Sequence, residues 1–127
     1  NNNTVFKEKV NVKYGVQTID SEILNLNFKD NYFDFVLGLG VIYVNNLTDA
    51  IKCIQEIERV SKGKSFISLA SYTKSEDYWL FKSWSVLGTT ILKKEEWITV
   101  LNHANYSGDY YFVNSDTLNI AFSKNKD

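Results

Sequence analysis

A strand, a helix and a second strand are predicted in succession in the middle of the chain, and this order constrains the fold more than any other feature. Residues 33–39 are nearly continuously apolar, as expected of a strand covered on both faces in a parallel sheet. After an Asn pair that offers an N-cap, apolar positions recur at steps of three and four through residues 47–60, which predicts an amphipathic helix. Gly63 ends that helix, and residues 65–70 form the next apolar run. The order predicts a right-handed crossover between two parallel strands.

Weaker patterns extend this unit in both directions. The predicted elements outside it are a strand at residues 10–18, a loop at 21–31, an irregular aromatic segment at 71–92, a helix at 93–105 and a hairpin of strands at 110–113 and 117–122. Alternation of apolar with polar residues predicts the first strand, and a one-sided apolar face that includes Trp97 predicts the helix. Together they predict an α/β, Rossmann-like domain with a mostly parallel sheet and an antiparallel terminal hairpin.

Composition excludes several classes of function. With 14 basic and 15 acidic residues the formal charge is −1, so no electrostatic field would draw in nucleic acid. Cys53 is the single cysteine and His103 the single histidine, and we therefore expect neither a disulfide nor a metal centre. The longest apolar stretch has about ten residues, too few for a bilayer span, and no signal peptide is visible. We expect a cytoplasmic protein without membrane or nucleic-acid partners.

Short motifs in and around the central unit resemble those of one enzyme family. LNFKDNYFDFV at residues 26–36 is similar to the Leu-Pro-Phe, Asp-Asn-Ser, Phe-Asp-x-Val signature of class I S-adenosylmethionine-dependent methyltransferases. LGVIY at 39–43 resembles the segment that leaves the family's fourth strand, and EIERV at 56–60 matches its Glu-Ile-x-Arg-Val. Gly63 and Lys64 form a shortened version of its Lys-Pro-Gly-Gly turn. The resemblance covers residues 10–122 and corresponds to the C-terminal two-thirds of the family fold.

The resemblance implies methyl transfer from S-adenosylmethionine to an O, N or C atom of a small-molecule substrate. It assigns the adenine to the Glu22 carboxylate and the Ile23 amide, and brings Leu39 and Gly40 close to the cofactor at the end of the central strand. The residues expected to contact the substrate are Tyr43, Tyr72 and Trp84. No catalytic residue is assigned, because alignment of a methyl group that is already activated is the enzyme's main task.

Each of these residues has a structural alternative. Glu22 is equally well explained as a solvated loop carboxylate, and Gly40 as part of a simple strand-end turn. Tyr43 suits an aromatic residue that covers the start of the next helix, and the aromatic residues of segment 71–92 suit a small hydrophobic cluster under a long connection. His103 fits a helix C-terminus better than a general base. Asp34 corresponds to a structural residue of the family, and nothing basic lies near enough in sequence to activate Cys53.

The departures from the family pattern suggest an alternative function. The family's Gly-x-Gly-x-Gly turn does not occur in the sequence, and we expect the first β-α-β portion of the fold to be missing from this single domain of residues 1–127. Enzyme activity would then require that this cofactor-binding segment be supplied. The strands at residues 10–18 and 33–39 would also have open edges, which are templates for pairing with another chain. The alternative is a non-catalytic module that acts in assembly, as a homo-oligomer or with a partner chain.

Overall fold

The computed structural model describes residues 15–43, 45–84 and 89–114. The elements in chain order are β1 (Val36–Gly38), α1 (Leu47–Val60), β2 (Ser65–Tyr72), α2 (Ser75–Trp84), β3 (Leu92–Lys93), α3 (Lys94–His103) and β4 (Asp109–Val113). The predicted helix at residues 47–60 and the predicted strand at residues 65–70 are confirmed. The helix predicted at residues 93–105 and the strand predicted at residues 110–113 are also present.

The sheet is built around β2. Val36 to Gly38 pair in parallel with Ser65 to Ile67, and Asp109 to Val113 pair in parallel with Phe66 to Ala70. Because Phe66 and Ile67 take part in both pairings, β1 and β4 lie on opposite edges of β2. The two residues of β3 pair in parallel with the end of β2. These pairings confirm the α/β, Rossmann-like fold with a mostly parallel sheet; the strand predicted at residues 117–122 lies outside the described residues.

Local sequence determines where α1 begins and ends. The Asn46 side chain accepts a hydrogen bond from the Asp49 amide at 2.9 Å, which satisfies one of the free amides of the first turn. Asp49 in the first turn and Arg59 in the last complement the helix dipole. After Val60 the backbone adopts positive φ at Lys62 (56°) and Gly63 (72°), and a continuing helix is therefore impossible.

The main core lies between the sheet and the helices α1 and α3. Its buried members are Ile42, Ala50, Cys53, Ile54, Ile57, Ile67, Leu69, Trp97, Leu101 and Ala104. Gly38 lets α1 approach the sheet, because a Cβ atom there would lie 3.1 Å from the Ile57 Cδ1 atom. Trp97 is completely buried, and its indole N–H donates to the Ala70 carbonyl at 2.8 Å. The assignment of Trp97 to the core is therefore confirmed.

Three predictions differ from the structure. Of the strand predicted at residues 10–18, the first five residues lie outside the described ranges, and residues 15–18 are exposed and form no strand. Segment 71–92 contains the helix α2, which the sequence pattern did not indicate because its aromatic residues are nearly consecutive and form no stripe. β1 is shorter than predicted, and among the described residues only one of its faces is covered.

The uncovered face of β1 carries large apolar side chains. Leu37 is 59% exposed, and Phe35 and Leu39, two residues to either side on the same face, are 57% and 55% exposed. The opposite face holds Gly38, which is buried against α1. Among the described residues, the apolar segment 33–39 therefore has one packed face and one exposed face.

Candidate functional site

The turn that follows β1 is held against the neighbouring strand. Gly40 has a φ of 69°, a region that residues with side chains rarely adopt, and its amide donates to the Ser68 Oγ atom of β2 at 2.9 Å. A Cβ atom at Gly40 would lie 3.6 Å from the Tyr43 hydroxyl, which is the contact it would make among the described residues. The structure therefore brings together two residues that the sequence analysis assigned separately, Gly40 to the cofactor and Tyr43 to the substrate. Leu39, beside them, is exposed.

Tyr43 is held in place by the segment that precedes β3. Its carbonyl accepts hydrogen bonds from the amides of Thr89 at 2.8 Å and Thr90 at 2.9 Å. The Thr90 hydroxyl in turn donates to the Asn45 carbonyl. The half-buried Tyr43 side chain packs against a small cluster formed by Ala70 and Ile91. These contacts agree with the alternative interpretation of Tyr43 as a residue with a packing role. Its hydroxyl nevertheless lies beside Gly40.

Tyr72 and its neighbours form a small aromatic pocket at the end of β2. Tyr72, Tyr78 and Trp79, together with Ser75, line a cavity of about 160 Å³. The Tyr72 and Tyr78 rings meet edge to face with centroids 5.3 Å apart, and Tyr78 meets Trp79 at the same distance. Tyr72 and Tyr78 also pack against the Ala70 and Ile91 cluster that Tyr43 contacts. The pocket and Tyr43 therefore share one packing base.

Trp84, the third residue assigned to the substrate, is the last residue of α2. Its side chain lies outside what the structure describes. The pocket is formed instead by residues at the other end of the same helix. Both Tyr78 and Trp79 are among the aromatic residues that the sequence pattern grouped in this region, whereas Ser75 was not singled out.

Glu22 and Ile23 lie in the loop before β1. Glu22 is exposed and closes a short turn in which its carbonyl accepts from the Asn25 amide at 3.1 Å. An open depression of about 420 Å³ there is lined by Asp20, Ser21, Glu22, Asn25 and Asn27. Ile23 is half-buried and packs against the main core. Among the described residues, no hydrogen bond joins Glu22 to the Gly40 turn, and the assignment of both to one cofactor site stays a prediction.

The motif EIERV of α1 anchors that loop. The Arg59 guanidinium donates to both carboxylate oxygens of Glu56 at 2.8 Å, and also to the carbonyls of Leu26 at 2.9 Å and Phe28 at 2.8 Å. Glu56 additionally accepts from the Leu26 amide at 2.7 Å. The hydrogen bonds from Arg59 and from the Leu26 amide hold the pKa of Glu56 below its usual value, and the one from Arg59 contributes most. Partial burial of the carboxylate acts in the opposite direction. The motif therefore has a structural role, which is to position the loop that contains Glu22.

The remaining candidates are structural, as the sequence analysis proposed. Asp34 forms an ion pair with Lys62 at 2.9 Å, and its side chain is otherwise exposed. Burial, with a smaller contribution from Glu56, raises the pKa of the Cys53 thiol to about 12, so the thiol is protonated at neutral pH and not a nucleophile. His103 lies in the last turn of α3. Across the described ranges, no three His, Cys, Asp or Glu side chains are arranged to bind a metal ion.

Two serines of β2 escaped the sequence analysis. Ser68 and Ser71 interrupt a buried strand, and polar residues at such positions require partners. Ser68 finds one in the Gly40 amide, whereas the Ser71 hydroxyl is fully buried and has no hydrogen-bond partner among the described residues. The sequence did indicate these two positions, because a polar residue within an otherwise apolar strand needs a hydrogen-bond partner that the apolar pattern does not explain.

In the described part of the chain, no helix has the length and apolar character needed to cross a bilayer.

A family model described as a methyltransferase domain matches residues 2–69, which is more than half of the chain. The matched region contains Glu22, Ile23, Leu39, Gly40 and Tyr43 and ends before Tyr72 and Trp84. No curated protein and no solved structure gives a significant match. By the extent of the family match, the chain belongs to the methyltransferase domain family, whose class I members transfer methyl groups from S-adenosylmethionine.

Proposed function

We propose that the chain forms part of the active site of an S-adenosylmethionine-dependent methyltransferase that acts on a small molecule. The observation that carries this proposal is the Gly40 turn. It lies at the carboxyl end of a parallel strand, where open α/β sheets bind their ligands. Its backbone conformation favours glycine, and its Cα is open toward a tyrosine hydroxyl.

The residues around Gly40 fit a cofactor in one specific respect. A side chain at Gly40 would occupy the space between the backbone and the Tyr43 hydroxyl, and glycine leaves that space free. The hydrogen bond from the Gly40 amide to Ser68 fixes the turn, so that a bound molecule would meet a preformed surface. When bound, S-adenosylmethionine supplies a methyl group that its sulfonium has already activated.

On the acceptor side, Tyr43 and Tyr72 are proposed to contact the substrate. Both pack on Ala70 and Ile91, and this common base keeps the two rings in a fixed relation. Such contacts orient an acceptor and exclude water, which is the main contribution that the protein makes to methyl transfer. Glu22 and the Ile23 amide are proposed to hold the adenine, at the loop that Arg59 anchors.

Two glycines make a matched test of the cofactor site. Gly40 and Gly15 both have positive φ, 69° and 64°, so alanine strains the backbone similarly at each, but Gly15 is exposed and no described residue lies within 4 Å of its added Cβ. We expect Gly40→Ala to weaken binding of S-adenosylhomocysteine to the 127-residue chain at least tenfold in calorimetric titration. Gly15→Ala should change the affinity less than twofold. No binding to the folded chain, or equal effects of the two substitutions, would contradict the proposal.

A second candidate function is supported by the open face of β1. Phe35, Leu37 and Leu39 are each more than half exposed, and β1 pairs with one strand only among the described residues. Such a strand is a template for association, which suits a non-catalytic module that assembles with a second copy of itself. Sedimentation tests this: a dimer that Leu37→Lys converts to monomer supports assembly, whereas a monomer at every concentration contradicts it.

A further inference from the structure

The aromatic pocket at the end of β2 has the form of a site for a small cation. Among the described residues its lining consists of Tyr72, Tyr78, Trp79 and the hydroxyl-bearing Ser75, none of which is charged. Its volume of about 160 Å³ lies below the roughly 300–1,000 Å³ of pockets that enclose a whole drug-sized ligand. The pocket therefore suits one chemical group of a larger molecule.

The angles between the rings indicate which group fits. Tyr72 and Tyr78 are inclined at 68°, and Tyr78 and Trp79 at 85°. A planar aromatic ligand is held best between parallel rings, which stack on both of its faces. Neither pair here is parallel, whereas a rounded cation needs no parallel rings, because it is attracted to the electron-rich face of any aromatic side chain that it contacts.

We propose that this pocket binds an alkylammonium group of the methyl acceptor. The inference rests on the proposed function, because it takes the pocket that shares a packing base with Tyr43 as the substrate site. Trp79 is expected to provide most of the attraction, since indole is the strongest aromatic partner of a cation. Its ring is 68% exposed, so a group entering from solvent reaches it directly.

Choline and 3,3-dimethylbutan-1-ol test the proposal, because they have nearly the same shape and differ in charge. Saturation-transfer NMR of the ligand methyl signals measures the binding of each to the 127-residue chain. We expect choline to bind at least about tenfold more tightly than the neutral alcohol. Equal affinities, or failure of choline to saturate the folded chain, would overturn the proposal. Tighter binding of phenol than of choline would also overturn it, and would indicate a site for a flat ring.

Substitutions locate the binding. Trp79→Leu should weaken choline binding about tenfold and Trp79→Phe distinctly less, because phenylalanine retains an aromatic face. Tyr110→Leu is the control: Tyr110 is an exposed aromatic residue of β4 outside the pocket lining, and this change should leave binding as it was. An unchanged affinity in Trp79→Leu overturns the assignment. Since Trp79 is largely exposed, circular dichroism should show all three variants folded.

Binding of S-adenosylhomocysteine to the same samples keeps the two proposals separate. If choline binds at the pocket and S-adenosylhomocysteine does not bind, the cation site stands and the proposed function fails. If S-adenosylhomocysteine binds and choline does not, the methyltransferase site stands and the cation assignment is wrong.

Discussion

The Gly40 amide donates to the Ser68 Oγ atom at 2.9 Å, and this contact joins the turn after β1 to the middle of β2. Three residues further along β2, Ser71 is fully buried, and its hydroxyl has no partner in the described part of the chain. The two serines therefore make a matched pair, in which the same substitution should have opposite consequences.

We expect Ser68→Ala to lower the free energy of unfolding by about 1–3 kcal/mol, because it leaves the Gly40 amide without its acceptor. Ser71→Ala should be neutral or stabilising, since it removes a buried hydroxyl that gains no hydrogen bond. Urea denaturation of both variants measures the difference. Equal losses in the two would show that the Gly40 contact contributes nothing specific to stability.

Glu56 should make the stability of the protein depend on acidic pH. Its pKa is lowered in the folded state, first by the hydrogen bond from Arg59 and further by the one from the Leu26 amide. The ionised carboxylate therefore stabilises the folded protein fully above its pKa in the unfolded state, about 4.3. This stabilisation is lost as the pH falls through the lower pKa of the folded state. In urea denaturation, Glu56→Gln should therefore be less stable than the parent at pH 7, and the gap should narrow below about pH 4.

Asp34→Asn is the control for that experiment. Asp34 also pairs with a cation, Lys62, but 96% of its side chain is exposed, so solvent screens the interaction. We expect its pH profile to follow that of the parent closely. A gap for Glu56→Gln that is the same at every pH would show that the variant acts through packing rather than charge.

Trp97 is expected to be the most sensitive position of α3. Trp97→Phe leaves a cavity and removes the donor to the buried Ala70 carbonyl, and we expect a loss of about 2–3 kcal/mol. The adjacent Ile98 is 41% exposed, and Ile98→Ala should change stability by less than about 1 kcal/mol. Thermal unfolding of the two variants gives the comparison, and similar losses would contradict the packing described here.

Cys53, the single cysteine, should report on unfolding. Its thiol is buried, and burial raises its pKa to about 12, so almost no thiolate is present in the folded protein at pH 8. We expect negligible reaction with a disulfide reagent at that pH, and reaction at the rate of a free thiol after addition of denaturant. Rapid labelling without denaturant would show that α1 opens readily from the sheet.

Much of the central unit follows from local pattern. The apolar spacing of residues 47–60 and the Asn pair before them suffice to predict α1, because one-sided burial and capping are properties of neighbouring residues. The strand at residues 65–70 is equally clear, since it is buried on both faces. The helix α2 was not predicted: its aromatic residues serve the pocket and its surroundings, not one continuous stripe.

The site was only partly predictable. Gly40 and Tyr43 could be assigned separately from their places in the family pattern, but not their contact, since it depends on how the turn closes after β1. The pocket was not predictable as a unit, because Tyr72 belongs to a strand and Tyr78 and Trp79 to a helix, and the angles between their rings depend on how these elements pack.

Periodicity, capping and short motifs are carried by neighbouring residues, and they sufficed to predict the family, the central strand-helix-strand order and the parallel character of the sheet, although not the helix α2. The tertiary structure alone decided that Phe35, Leu37 and Leu39 remain exposed, that Ser68 holds the Gly40 turn, and that three aromatic rings enclose one small pocket. Each of these depends on which surfaces meet across long separations in the chain. An apolar run in the sequence indicates that its residues can be buried, but only the tertiary structure shows which other residues cover them.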